Sequence, residues 1–239
     1  MIDLVIPLCK GSKFNDLELR YCLRSVEKYL RGYRNIYIIG DKPKWIRNVI
    51  HVPFTQRPGD CKDKNIMLKV LHACDIPEVS PEFLFMNDDH FPLKSVDAIN
   101  YPYYYNGKLV DWDNGKKMWC PYKQAVKNTL SVLIKNELPA KHYDIHTPIL
   151  YDKELFKNIM GRYDWDIQSG YIVKSLYANT LKLAGTSLID CKISEPLHRY
   201  GLADLLYNRP VFSVGDAGLN RSMIDWLDEF YPEKSAYEI

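Results

Sequence analysis

The chain has 239 residues, 46% of them hydrophobic and 26% charged, an ordinary globular composition with length enough for one large domain. Its formal net charge of +2 is too small to bring it to nucleic acid or an anionic membrane by bulk electrostatics, and no apolar run approaches the ~20 residues of a membrane span. The six cysteines, at 9, 22, 61, 74, 120 and 191, show neither CxxC nor zinc-site spacing, and Met1-Ile-Asp-Leu-Val-Ile-Pro7 does not read as a secretion signal. These features predict a reduced, cytosolic protein whose contact with a membrane, if any, is peripheral or through a partner.

Residues 2–8 predict a first strand. After a polar loop, Asn15 and Glu18 have the spacing of a capping box. Leu19, Cys22, Leu23, Val26, Tyr29 and Leu30 then recur at helical spacing until Gly32. Arg20 and Arg24 lie one turn apart on this helix, as a solvated basic face or as two cations near ligand phosphates. Residues 35–40 predict a second buried strand, which leaves Asp41 at its C-terminal end, and residues 48–53 a third, shorter one. A turn-rich loop over 55–62 precedes a helix over 63–74, with Ile66, Met67, Val70, Leu71 and Cys74 at helical spacing. Cys22 and Cys74 thus fall on apolar helix faces, where free cysteine behaves as a small hydrophobe. The strand Phe83-Leu-Phe-Met-Asn87 follows. This alternation predicts the α/β class, a mostly parallel sheet with helices on both faces.

The middle of the chain differs. Residues 99–124 are rich in Tyr and Trp, and Asn106-Gly107 and Asn114-Gly115 between them predict β-hairpins that form an aromatic wall. A helix is expected over 123–136. His142 and His146 are four apart, but Tyr-Asp-Ile between them and Pro148 after them favour an extended approach, so they are not expected to form a helical metal pair. His146 is instead expected to point into the cleft as a single imidazole. An element is predicted over 149–160, helical in character from Asp152 to Phe156, and a helix over 168–179. A strand over 188–193 would put Asp190 and Lys192 on one face. A strand over 211–216 and a helix over 222–230 close the sequence, as one compact domain with an inserted or appended lobe.

The chemistry gathers after the Phe83 strand, where the run turns abruptly into Asn87-Asp88-Asp89-His90. In an open α/β sheet, ligands sit beyond the C-terminal ends of the strands. Two adjacent carboxylates there repel each other unless a cation or a proton lies between them. Hard carboxylate oxygens suit Mg²⁺ or Mn²⁺ holding phosphate oxygens. A turn rich in Asn and Asp also ends many strands without any such role.

Several stretches together resemble the Stealth proteins and the short bacterial glycosyltransferases of capsule and surface-polysaccharide loci. They are Glu18-Leu-Arg-Tyr-Cys-Leu-Arg-Ser-Val-Glu-Lys28 with Asn35-Ile-Tyr-Ile-Ile-Gly-Asp41, Phe83 to Phe91, His146-Thr-Pro-Ile-Leu-Tyr-Asp-Lys-Glu-Leu155, and Val214-Gly-Asp216 through Glu238. In the short enzymes, Ser175-Leu-Tyr-Ala-Asn179 and Asp190-Cys-Lys-Ile193 also have counterparts. The resemblance implies a GT-A-like (Rossmann-like) fold with a smaller aromatic-rich acceptor-side lobe. It implies one catalytic domain over 1–239, with a nucleotide-sugar-binding half over 1–98 and an acceptor-side half over 99–239.

The implied donor is a nucleotide sugar, UDP-sugar favoured, and the implied acceptor a glycan or lipid-linked glycan. The implied cofactor is Mn²⁺ or Mg²⁺, and the implied location is the cytoplasm, up to the inner face of the membrane. Asp89 with Asp88 would hold the metal. Arg20, Arg24, Asp41, Lys64 and Asn87 would line the donor and its phosphates. His146, Asp166 and Asp88 are the candidate bases, and Asp190, Lys192, Tyr177 and Asn179 fall on the acceptor side. Stealth enzymes transfer a sugar 1-phosphate, whereas the short relatives are expected to transfer the sugar. Ile2-Asp-Leu-Val-Ile-Pro-Leu-Cys-Lys10 lacks the Trp-Val-Asp-Gly run of the first Stealth region, which favours glycosyl transfer. A noncatalytic nucleotide- or carbohydrate-binding protein is the rival from another class.

Overall fold

Successive residues of the first strand point into two different cores, and the rest of the chain supplies a helical layer for each. The computed structural model describes residues 1–115 and 118–239. The first half runs β1 (Ile2–Leu8), α1 (Leu17–Tyr29), β2 (Leu30–Arg31), β3 (Tyr33–Gly40), β4 (Ile50–Val52), α2 (Lys62–Cys74), β5 (Glu82–Phe85), β6 (His90–Pro92) and β7 (Val96–Asp97). It continues through β8 (Tyr104–Tyr105), α3 (Leu109–Gly115), α4 (Pro121–Lys135), β9 (Ile149–Asp152), α5 (Lys153–Met160) and α6 (Val173–Thr180). The last elements are β10 (Thr186–Ser187), β11 (Lys192–Ile193), α7 (Arg199–Leu206), β12 (Val211–Val214) and α8 (Arg221–Phe230).

The central sheet has the order β4-β3-β1-β5-β9. Its first four strands are parallel, and β9 runs antiparallel to β5 at the edge. Leu4, Ile6 and Leu8 of β1 pack with Leu19, Cys22, Leu23 and Val26 of α1 and with Met223 and Leu227 of α8. Val5 faces the other way, with Tyr37, Ile39, Phe83 and Phe85, onto Met67 and Val70 of α2, Phe156 of α5 and Leu176 of α6. A strand covered on both faces can be apolar at every position, which is why β1 and β5 read as continuous hydrophobic runs. Each such buried side chain contributes about 1.5–3 kcal/mol. Both cores draw on residues from either side of position 98.

Asp3 interrupts β1 because it has partners. Arg34 forks onto its two carboxylate oxygens at 2.9 Å each, and the Ser80 backbone N–H donates to Oδ2 at 2.7 Å. At the other end of the strand, β3 stops at Gly40, whose φ is +124°. A Cβ there would lie 2.1 Å from the Leu8 carbonyl oxygen, so glycine alone lets the two strand ends close.

A second, three-stranded sheet has the order β11-β12-β6. Its pairing puts Lys192 beside Ser213 and Ser213 beside His90 in one row. The turn Asn87–Asp89 therefore joins the central sheet to this smaller one.

Several local expectations are corrected. Asn15 and Asp16 both take left-handed conformations at the start of α1, whose N-cap Asp16 makes no side-chain capping bond, so no capping box forms. The two Asn-Gly signals do not make hairpins among the described residues. Asn114-Gly115 lies within α3, and Gly107 leads into an antiparallel bridge between Lys108 and Lys141. Tyr104–Tyr105 pairs in parallel with distant Thr186–Ser187. The single element predicted over 149–160 divides into the edge strand over 149–152, since Ile149 and Tyr151 are needed against Phe83 and Phe85, and α5 after it. The helix predicted from 168 begins only at Val173, and the strand predicted from 188 only at Lys192. Among the described residues, no helix is long and apolar enough to cross a membrane.

Candidate functional site

Three adjoining cavities run along the C-terminal ends of β1, β3 and β5. The first, about 470 Å³, is lined by Asn87, Asp88, Asp89, His146 and Lys192 and by residues of α2 and the loop before it. The second, about 500 Å³, shares Lys62, Ile66, Asn87 and His146 with the first and extends to Asp63, Tyr122 and Asp144. The third, about 640 Å³, meets the first at Cys9 and is lined by Lys10, Asp16, Arg20, Asp41 and Trp45.

The acidic turn takes its shape from its neighbours. His90 is fully buried, and burial pushes its pKa well below the usual value, so the ring is neutral. Its Nδ1 accepts the Asn87 backbone N–H at 3.2 Å. Ser213 Oγ donates to Asp89 Oδ2 at 2.8 Å, and Lys192 Nζ stands 3.6 Å from the same oxygen, both delivered by the row across the smaller sheet. Asp89 Oδ1 is buried and has no hydrogen-bond partner. Burial, the Asp89 charge and Glu18 together push the Asp88 pKa up to about 7. A bare carboxylate oxygen beside a second carboxylate under charge strain fits a hard divalent cation that completes its shell with water and phosphate. No ready-made cage of three or more His, Cys, Asp or Glu side chains exists among the described residues.

His146 stands on the wall shared by the first and second cavities. Its Nδ1 lies 2.7 Å from Asp190 Oδ2, and its backbone N–H donates to Asp190 Oδ1 at 3.0 Å. Buried Lys174 donates to the carbonyls of Ile145 and Thr147, at 2.8 Å each, and so grips the chain on either side of His146. Burial raises the Asp190 pKa, but the bonds from His146 and the nearby Lys174 charge outweigh it and hold the carboxyl below its ordinary value. An ionised Asp190 keeps the proton of a neutral His146 on Nδ1, leaving Nε2 as an acceptor.

The second cavity is walled by Phe85, Tyr151 and Val173 and carries a second acidic pair. Burial and the Asp144 charge push Asp63 up to about 7. Tyr122 Oη donates to Asp144 Oδ2 at 2.8 Å and lies 3.1 Å from His142 Nε2.

Asn87, Asp88, Asp89, His146, Asp190 and Lys192 therefore come together from three separated stretches. Arg20 and Asp41 lie in the third cavity, where Arg20 stacks 4.2 Å from the Trp45 ring centre and Asp41 Oδ2 accepts the Lys10 backbone N–H at 2.8 Å. Other expected positions are corrected. Arg24 is committed to Glu238 at 2.7 and 2.9 Å and to the Tyr231 carbonyl at 3.0 Å, one helical turn away from the cleft. Lys64 is held between Asp60, at 2.7 Å, and Asp166, so its charge is already compensated. Asp166 is an 82% exposed side chain paired to Lys64, which lowers its pKa and makes it a poor base. Tyr177 is core, its oxygen accepting the Asp152 backbone N–H at 3.0 Å. Asn179 is also buried and ties Lys141 to Ser175 through its amide.

Lys62 and Lys69 went unnoticed in the sequence, although they lie seven apart on α2 and so share a face. Both line the first cavity. Lys69 is buried, donating to the Leu8 carbonyl at 2.6 Å and lying 2.8 Å from Cys9 Sγ.

No family model matches the chain, and no curated protein matches it. Among solved structures, the chain is similar to the apo crystal structure of mouse xyloside xylosyltransferase 1, at 9% identity and a TM-score of 0.44, over 89% of this chain and 98% of that one. A likeness at that level does not define a shared activity.

Proposed function

We propose that the protein is a nucleotide-sugar-dependent glycosyltransferase of GT-A-like fold that moves a sugar, UDP-linked by preference, onto a hydroxyl of a glycan or lipid-linked glycan. The carrying observation is the position of His146, oriented by Asp190 on the wall between two cavities, one of which holds Asp88 and Asp89. The first cavity would take the donor phosphates and sugar, and the second the acceptor. Asp89 and Asp88 would hold Mn²⁺ or Mg²⁺, which offsets charge on phosphate oxygens. Lys62, Lys69 and Lys192 add fixed positive charge where the leaving diphosphate becomes more negative, and a partly dehydrated cleft strengthens that effect. His146 Nε2 takes the proton of the attacking acceptor hydroxyl, and Asp190 stabilises the imidazolium that results. The resemblance to short bacterial enzymes supports a role in surface or capsular polysaccharide synthesis at the cytoplasmic side of the membrane.

Sugar-phosphate transfer of the Stealth type uses the same groups and differs in which bond breaks. Product identity separates the two. The protein is incubated with UDP- and GDP-sugars, Mn²⁺ or Mg²⁺ and a mixed glycan acceptor pool, and the released nucleotide is identified. A nucleoside diphosphate that appears only with acceptor supports glycosyl transfer. A nucleoside monophosphate assigns the protein to sugar-phosphate transfer. Binding of the nucleotide sugar without any release is the outcome expected of a noncatalytic protein.

A further inference from the structure

The first cavity has a second polar wall, built by the loop before α2 and the first turn of that helix. Asn65 is only 8% exposed, and its amide hydrogens are already used, Nδ2 donating to the carbonyls of Asp60 at 3.2 Å and Cys61 at 3.1 Å. Its Oδ1 accepts from no group of the described protein. Asp60 is in the same condition: Oδ1 takes Lys64 Nζ at 2.7 Å, while Oδ2 is buried without a partner. Both residues line the cavity that holds Asp88 and Asp89. A buried acceptor deprived of a donor costs about 1–3 kcal/mol, so two on one wall are a standing deficit that an incoming donor group relieves.

The chemistry of the cavity narrows what that group is. Lys62, Lys69 and Lys192 bring cations for phosphate oxygens to the same space. The diphosphate of a nucleotide sugar, esterified at both ends, is fully ionised at neutral pH and has no hydrogen to give, so it cannot satisfy Asn65 or Asp60. Hydroxyls of a sugar ring can, and a nucleotide sugar carries such rings on both sides of its diphosphate.

We infer that Asn65 Oδ1 and Asp60 Oδ2 accept hydrogen bonds from ring hydroxyls of the donor, and so decide which nucleotide sugar enters the first cavity. This rests on the nucleotide-sugar reading above. The hydroxyls belong either to the transferred sugar or to the ribose of the nucleoside, and the two sources are experimentally distinct.

The test is calorimetric titration, with Mn²⁺ present, of the wild-type protein and of Asn65→Leu, Asn65→Asp and Asp60→Ala. The probes are UDP, 2′-deoxy-UDP, UDP-glucose, UDP-galactose and UDP-N-acetylglucosamine, with GDP, 2′-deoxy-GDP and GDP-mannose. Wild-type protein is expected to prefer one nucleotide sugar over its bare nucleotide, or a ribonucleotide over its 2′-deoxy form, by about fivefold to tenfold, the worth of one such hydrogen bond. Asn65→Leu should erase that preference. Asn65→Asp should keep it, because it retains the acceptor oxygen while losing the same two Nδ2 bonds, and so controls for their structural part.

Loss of the sugar preference identifies the transferred sugar as the ligand of Asn65, and loss of the 2′-hydroxyl preference identifies the ribose. A preference unchanged in both Asn65→Leu and Asp60→Ala, or absent from wild-type protein that still binds nucleotide, overturns the inference and leaves the proposed function standing. Failure of folded wild-type protein to bind any of these nucleotides overturns both.

Discussion

His146 Nδ1 lies 2.7 Å from Asp190 Oδ2, although the two residues are 44 positions apart. The second Asp190 oxygen holds the backbone of the same histidine, so one carboxylate sets both the place of the ring and its tautomer. His146→Ala should lower turnover at least about hundredfold, and Asp190→Asn about tenfold or more, because an amide neither enforces the tautomer nor stabilises the imidazolium. Steady-state release of nucleotide measures both. Full turnover in His146→Ala would move the base elsewhere in the cleft.

Asp89 Oδ1 is a buried carboxylate oxygen without a partner, and Ser213 holds the other oxygen of the group. Asp89→Asn should weaken Mn²⁺ binding by at least about tenfold, and Ser213→Ala, which frees the carboxylate to turn, by about tenfold. Paramagnetic titration of Mn²⁺ in the presence of UDP reads this directly, without reference to turnover. Equal affinity in Asp89→Asn would remove the carboxylate from the metal site.

Glu238 is buried beneath Arg24 and also accepts from the Ser235 backbone N–H. Burial raises its pKa, but the Arg24 and Ser235 bonds outweigh that and leave it below the ordinary 4.5. A depressed carboxylate stabilises the fold fully above its unfolded pKa and loses that contribution as pH falls through the folded value. Glu238→Gln should therefore cost about 3 kcal/mol at neutral pH, lowering Tm by roughly 6–12 °C, because it leaves Arg24 buried against a neutral group. The difference between wild type and variant should shrink as pH is taken from 5 down to 3. Thermal unfolding across that range checks the sign.

Tyr177→Phe removes a buried acceptor of the Asp152 N–H without opening a cavity. It should cost about 1 kcal/mol of stability and leave turnover unchanged. A large fall in turnover at unchanged stability would return Tyr177 to the acceptor side.

Gly40→Ala meets both a φ of +124° and the Leu8 carbonyl at 2.1 Å. The substitution should cost at least about 2 kcal/mol, read from the midpoint of urea unfolding, since the ends of β1 and β3 must separate to admit it.

The α/β class, the parallel strands and the position of the acidic turn were legible because they depend on local patterns. Apolar runs of strand length, helical periodicities between them and a sudden change to Asn-Asp-Asp-His at residue 87 report burial and chain direction within a few residues. The same signals failed where one local pattern serves two structures. Asn114-Gly115 sits in a helix rather than in a hairpin turn, and 149–152 joins the sheet because β5 offers it an open edge.

By itself, then, the sequence determined which segments are strands and helices in the main layers, and that carboxylates stand at the end of a central strand. Tertiary structure alone decided which charges remain free to act. A helical position says where a side chain leaves the backbone but not what waits for it: Arg24 meets Glu238, Lys64 meets Asp166, and Tyr177 meets the Asp152 N–H. Partners so distant in sequence leave no periodic trace. The pairing of His146 with Asp190, and the unpaired oxygens of Asn65 and Asp60, exist only once the sheets and α2 have closed around the cleft.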